Sequence, residues 1–167
     1  MTESAEAVLP EALHARVAAL KAAGANMLVD LTCVDMQGYG AGTKNASPAP
    51  EGRRFKLVYR FMALDPATGL VTERTTLACW VEGESVPQSV KDLFPNADWL
   101  EREVWDMFGV RFADRPDIKR ILMYEEFVGH PLRKDYPIKK RQPLIGPAEG
   151  PARERLTAAD LRPRLVE

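Results

Sequence analysis

Two cysteines and two histidines are all that 167 residues offer of the side chains that most often bind metals or carry redox chemistry. Cys33 and Cys79 stand singly in apolar, strand-like runs with no Cys-x-x-Cys spacing, which leaves no ligand set for zinc or an iron–sulfur cluster. They read as buried, reduced thiols, and thiols kept free suit a reducing compartment. His14 and His130 lie far from each other and from both cysteines, and read as hydrogen-bonding residues. No apolar run approaches the roughly 20 residues that span a bilayer. The opening Met1-Thr2-Glu3-Ser4-Ala5-Glu6 is acidic where a secretory signal is basic, so the chain is expected to be soluble or peripheral to a membrane. No glycine-rich phosphate loop follows a strand; Gly38, Gly40 and Gly42 form an isolated Gly-x-Gly-x-Gly, and nucleotide binding is not expected. Internal repeats and RNA-binding signatures are also lacking, and Tyr124, Phe127 and Tyr136 lie apart from Lys139-Lys140-Arg141, which argues against nucleic acid as a partner.

What is present suffices for one domain with a real core: 46% of the residues are hydrophobic. Charge is unevenly spread. Residues 1–110 hold 10 Lys+Arg against 15 Asp+Glu, a net of -5, and residues 111–167 hold 13 against 9, a net of +4. Either a basic arm folds across an acidic body of the same chain, or the arm meets an acidic partner.

Leu9, Leu13, Val17 and Leu20 recur at helical spacing and Gly24 supplies a stop, which predicts a helix over about 9–23. A strand follows in which Met27, Val29, Leu31 and Cys33 share one side. Residues 37–52, rich in Gly, Ala, Ser, Thr and Pro, read as a loose loop. Phe55, Leu57, Tyr59 and Phe61 alternate with Lys56, Val58, Arg60 and Met62, Asp65-Pro66-Ala67-Thr68-Gly69 makes a turn, and residues 70–81 return as the antiparallel neighbour. Ser85 and Pro87 open a short helical segment carrying Val90, Leu93 and Phe94, closed by Pro95-Asn96. Beyond Gly109 no period is sustained. Proline recurs through to Pro163 in a thin apolar background, with one short helix possible over 156–165, which describes an extended tail. Grouped strands favour an α+β fold: a two-layer domain over residues 1–112 with a mixed or antiparallel sheet covered by helices. The extended arm over 113–167 has too little apolar content to fold alone and is expected to dock on a partner.

The densest stretch reads Leu100-Glu101-Arg102-Glu103-Val104-Trp105-Asp106-Met107-Phe108-Gly109. On a helix, Leu100, Val104, Met107 and Phe108 form one face with Trp105 at its border, and Arg102 and Asp106 fall opposite, four residues apart. Gly109 sits where the helix ends. Glu101 is the misfit, an acid on the apolar side that needs a cation; Arg111, Arg115, Lys119, Arg120, Arg133 and Lys134 are the candidates. Glu101, Glu103 and Asp106 could also serve as general acid–base groups, but structural ion pairing is the favoured reading with so many cations just downstream.

As a string, residues 99–112, followed by Asp117-Ile118-Lys119-Arg120-Ile121-Leu122 and by Gly129-His130-Pro131-Leu132-Arg133-Lys134-Asp135-Tyr136-Pro137, resemble the signature of the 30-kDa subunit family of respiratory complex I, which in bacteria is the NADH-quinone oxidoreductase. One departure is visible: where the family's first motif continues to His-Pro, this chain has Arg115-Pro116. The resemblance implies a cofactor-free, non-catalytic subunit of the peripheral arm. FMN, iron–sulfur clusters and quinone would belong to partner subunits, chiefly the large quinone-site subunit and the terminal-cluster subunit. It further implies indirect association with the cytoplasmic side of the inner membrane and support of NADH-to-quinone electron transfer coupled to proton translocation. Three other readings compete: the equivalent subunit of a membrane-bound hydrogenase or other donor-quinone oxidoreductase, a stand-alone binding module, and a small enzyme using the carboxylates.

Overall fold

The computed structural model describes residues 5–38, 53–82, 86–116 and 118–139. Most of the loop expected over 37–52, the tail beyond residue 139 with its possible helix, Ser85 and Asp117 lie outside the described residues. The elements are β1 (Glu6–Val8), a 3-10 turn (Pro10–Ala12), α1 (Leu13–Ala22), β2 (Met27–Asp35), β3 (Phe55–Leu64), β4 (Val71–Val81) and α2 (Ala97–Phe108). The strands form one mixed sheet in the order β1-β4-β3-β2, antiparallel except for the parallel pair of β1 and β4. The fold is α+β, with the helices on one face of the sheet.

Period and burial agree closely where alternation is strict. Leu57, Tyr59 and Phe61 of β3 point into the core opposite Cys79, Leu77 and Thr75 of β4. The turn between these strands is made by Asp65, whose carboxylate accepts the Ala67 N–H and the Thr68 hydroxyl, and Gly69 takes the positive φ of 70° that closes it. In α1, Leu13, Val17 and Leu20 are buried, each contributing on the order of 1.5–3 kcal/mol of hydrophobic stabilisation. Both cysteines are buried and free, and burial pushes each thiol up to about 12.

Two expectations are corrected and one strand is new. Met27 and Val29 do not share a buried side with Leu31 and Cys33. The ladder slips between Leu28 and Asp30, and this β-bulge reverses the phase, so that Leu28 is buried and Met27 and Val29 are exposed. Residues 87–94 form no helix. Leu93 and Phe94 both donate to the Val90 carbonyl in a single turn, while the Val90 N–H and the Ser89 hydroxyl bind a side chain of α2. Strand β1 was not anticipated, because three residues held through their backbones carry too short a pattern to read.

Candidate functional site

Helix α2 begins after Asn96, whose side-chain amide donates to the Leu28 carbonyl at 2.8 Å and fixes the helix to the sheet edge. It ends at Gly109, in the left-handed conformation at φ 74°. Val104 and Met107 face the core, and Leu100 and Phe108 pack at its margin.

Glu101 is fully buried. One oxygen accepts the Val90 N–H at 2.9 Å; the other accepts the Ser89 hydroxyl at 2.7 Å and Arg115 Nη1 at 2.9 Å. Arg115 is itself 9% exposed and reaches the Asp98 carboxylate and carbonyl as well. The partner of Glu101 is therefore Arg115, one of the six cations that the sequence offers for it. Nearby, Tyr59 Oη is a buried side-chain atom with no hydrogen-bond partner among the described residues, and burial raises its pKa well above the ordinary value.

Asp106 corrects the helical-wheel reading. Instead of lying exposed opposite the core beside Arg102, it is fully buried under residues 120–123. One oxygen accepts the N–H groups of Ile121, Leu122 and Met123 at 3.1, 2.8 and 2.9 Å, and the other pairs with Arg120. Burial works against its charge, but these donors outweigh it and lower its pKa. Arg102 instead donates to the carbonyls of Lys119 and Arg120. Arg120 also donates to the carbonyls of Phe127 and Gly129, and its guanidinium lies 5.5 Å from the rings of both Trp105 and Phe127.

A third buried acid was missed. Asp35 sits at the end of β2, where the inward phase of Leu31 and Cys33 continues, and that phase is the signal that marks it as internal. It accepts Arg54 at 3.0 and 2.6 Å and the N–H groups of Gln37 and Lys134 at 3.0 and 2.8 Å. Burial alone would raise its pKa; Arg54 and the two N–H groups hold it at about 2. Arg54 then bridges to Asp135 at 2.8 and 3.0 Å.

The second motif closes over the end of α2. Leu132 N–H donates to the Met107 carbonyl, Arg133 Nε to the Phe108 carbonyl, and His130 Nδ1 to the Asp106 carbonyl at 3.0 Å. Burial, opposed by that last bond, lowers the pKa of His130. His130 stands edge-on to Trp105 at 6.2 Å, and Tyr136 stacks on Phe127 at 6.0 Å. A Cβ at Gly109 would come within 2.3 Å of Arg133 and 2.5 Å of His130, so the approach requires glycine; at Gly129 a Cβ would meet Tyr136 at 2.9 Å. Of the residues singled out from sequence, Glu103 is exposed without a partner among the described residues, Lys134 joins through its backbone, Pro131 lies between His130 and Leu132, and Pro137 follows Tyr136.

Residues 118–139 contain no helix or strand, yet they are pinned by Asp106, by the carbonyls of α2's last turn and by the Asp35–Arg54–Asp135 chain. Their outer side presents Leu122, Tyr124, Val128, Leu132 and Ile138, which are 43% to 100% exposed. Both oxygens of Glu101 and of Asp106 are occupied by donors of this chain. Among the described residues, no group of three or more His, Cys, Asp or Glu is placed to hold a metal ion, and no helix is long and apolar enough to cross a membrane.

Comparison with known proteins gives this arrangement its setting. Residues 7–142 match the family model of the respiratory-chain NADH dehydrogenase 30 Kd subunit. The chain is 41% identical over 113 residues to NADH-ubiquinone oxidoreductase subunit 9 of Dictyostelium discoideum, covering 68% of this chain and 48% of that protein. It is 40% identical over 114 residues to the C subunit of the NADH-quinone oxidoreductase of Neisseria meningitidis serogroup B, covering 67% and 52%. It thus spans about half the length of these two relatives. Among solved structures it resembles the trypsin-resistant fragment (1-134) of Nqo5, with a TM-score of 0.56 and 32% identity over 66% of this chain and 79% of that one. The match reaches well beyond the two motifs around α2 and takes in the sheet, and the chain belongs to the 30-kDa subunit family of respiratory-chain NADH dehydrogenase.

Proposed function

We propose that this chain is a non-catalytic, cofactor-free docking subunit of the peripheral arm of a NADH-quinone oxidoreductase. In this reading it is held against the large subunit that frames the quinone pocket with the terminal-cluster subunit, on the cytoplasmic side of the bacterial inner membrane. Its part in electron transfer from NADH to quinone, and in the coupled proton translocation, is to keep those neighbours in register. FMN, clusters and quinone belong to the neighbours.

One observation carries the reading: an irregular segment is pinned by buried charge on its inner side and displays apolar side chains on its outer side. An irregular segment usually turns its polar backbone to water. Here the backbone bonds run inward to Asp106, Asp35 and the end of α2, and Leu122, Leu132 and Ile138 face outward. A surface ordered in advance loses little entropy when it binds, which suits a permanent contact between subunits. Purification of the tagged chain from detergent-solubilised membranes tests this. Recovery with iron–sulfur subunits and NADH:quinone reductase activity is expected; recovery of the chain alone would contradict it.

A further inference from the structure

The helices cover one face of the sheet, and the other face has no layer over it among the described residues. Val29 and Val34 of β2 are 41% and 39% exposed there. The ladder sets Val58 of β3 opposite Thr32 and Ala78, Lys56 opposite Val34 and Trp80, and Arg60 opposite Asp30 and Thr76. A groove of about 510 Å³ runs across this face, lined by Val29, Val58, Arg60, Met62, Arg74 and Thr76. Lys56 lies over the Trp80 ring at 5.5 Å, while Arg60 and Arg74 make no ion pair or hydrogen bond among the described residues. Asp30, across the ladder from Arg60, is not within ion-pair distance of it.

We infer that this open sheet face is a second docking surface, and that its occupant is an acidic amphipathic helix of another subunit, with carboxylates one turn apart meeting Arg60 and Arg74. The proposal rests on the assembly role proposed above. A sheet face can be left to water, but this one sets exposed Val29 and Val34 beside two guanidinium groups without ion-pair partners among the described residues, a mixture that a helix layer would cover. Arg74 is the diagonal neighbour of Arg60, since Arg60 pairs with Thr76, which places their Cα atoms about 7–8 Å apart. Carboxylates at i and i+4 of a helix, about 5–6 Å apart at Cβ, are within reach of both guanidinium forks. Charge selects against the other occupants. A second copy of this chain would bring Lys56, Arg60 and Arg74 against their own duplicates. Residues 140–167 of this chain carry six Lys+Arg against four Asp+Glu and share the sign of the face.

The test compares the assembled, detergent-solubilised complex with the isolated full chain, using Val29→Cys and a maleimide probe. Cys33 and Cys79 are buried and contribute no background. The Val29→Cys thiol is expected to react at least tenfold more slowly in the complex. The added substitutions Arg60→Glu and Arg74→Glu should return the rate to that of the isolated chain while the protein still co-purifies through its arm. A photo-crosslinker at Val58 should capture a peptide of another subunit with two carboxylates one helical turn apart. Equal labelling in the complex and the isolated chain overturns the proposal, as does a captured peptide without acidic residues. So do concentration-dependent protection of the isolated chain, which indicates a second copy, and binding of the isolated chain to phosphatidylglycerol vesicles that the charge reversal abolishes. If the chain fails to co-purify at all, the assembly role falls and this surface with it; co-purification without protection removes the second surface alone.

Discussion

Arg115→Ala isolates the energetics of the α2 lock. The substitution leaves Glu101 fully buried, with the Ser89 hydroxyl and the Val90 N–H but no cation. Removing one partner of a buried ion pair costs about 3–5 kcal/mol, and the two remaining donors place this case near the lower end. The lost contact with Asp98, whose side chain is 36% exposed, adds little. A loss of about 3 kcal/mol in a chain of this size lowers Tm on the order of 10 °C. The companion Glu101→Gln keeps an acceptor for the Val90 N–H, but turns amide hydrogens toward Arg115 and should cost about 1–3 kcal/mol alone. Combined, the two substitutions remove both charges, so the double variant should be about 2 kcal/mol more stable than the sum of the single losses implies. Urea unfolding of the full chain followed by the fluorescence of Trp99 and Trp105, both on α2, measures all three variants. An Arg115→Ala variant within about 0.5 kcal/mol of the parent, or a double variant showing simple additivity, would refute the lock.

Gly109→Ala should destabilise by about 1–3 kcal/mol through its positive φ, and should dislodge Arg133 and His130, since the added methyl falls within 2.3 and 2.5 Å of them; faster tryptic cleavage at Arg133 and Lys134 reports the loosening. Asp35 has a folded pKa of about 2, below its ordinary 3.8, so its contribution is fully present above about pH 4 and is lost as pH falls toward 2. That contribution is about 2 kcal/mol, and Asp35→Asn should flatten the acid limb of stability against pH by this amount, while an unchanged limb would show that Arg54 does not hold the charge.

What could be read from the residues alone follows the range over which each pattern acts. β3 and α1 were legible from the period of their buried residues, and β4 from its Thr and Val content and the turn that precedes it. The register of β2 was hidden by a single inserted residue at Val29, and β1 by its brevity. Glu101 was legible as a misfit, because an acid on an apolar stripe demands a partner; which of six cations supplied it was not, since that depends on the course of residues 110–116. Asp106 misled for the complementary reason. A helical wheel knows only its own helix, and the cover that buries Asp106 comes from residues 120–123, whose amides converge on it through backbone geometry that leaves no side-chain pattern. Asp35 and Arg54 lie 19 residues apart and were joined only by the fold.

The claim that the pinned segment is a docking surface is tested most directly by Leu122→Asp combined with Ile138→Asp. Both side chains are exposed, at 57% and 100%, so the Tm of the isolated chain should stay within a few degrees of the parent. The account predicts that this folded variant is absent from the complex recovered from detergent-solubilised membranes, and that NADH:quinone reductase activity falls with it. Recovery of the variant in the complex at parental amounts, with parental activity, would contradict it.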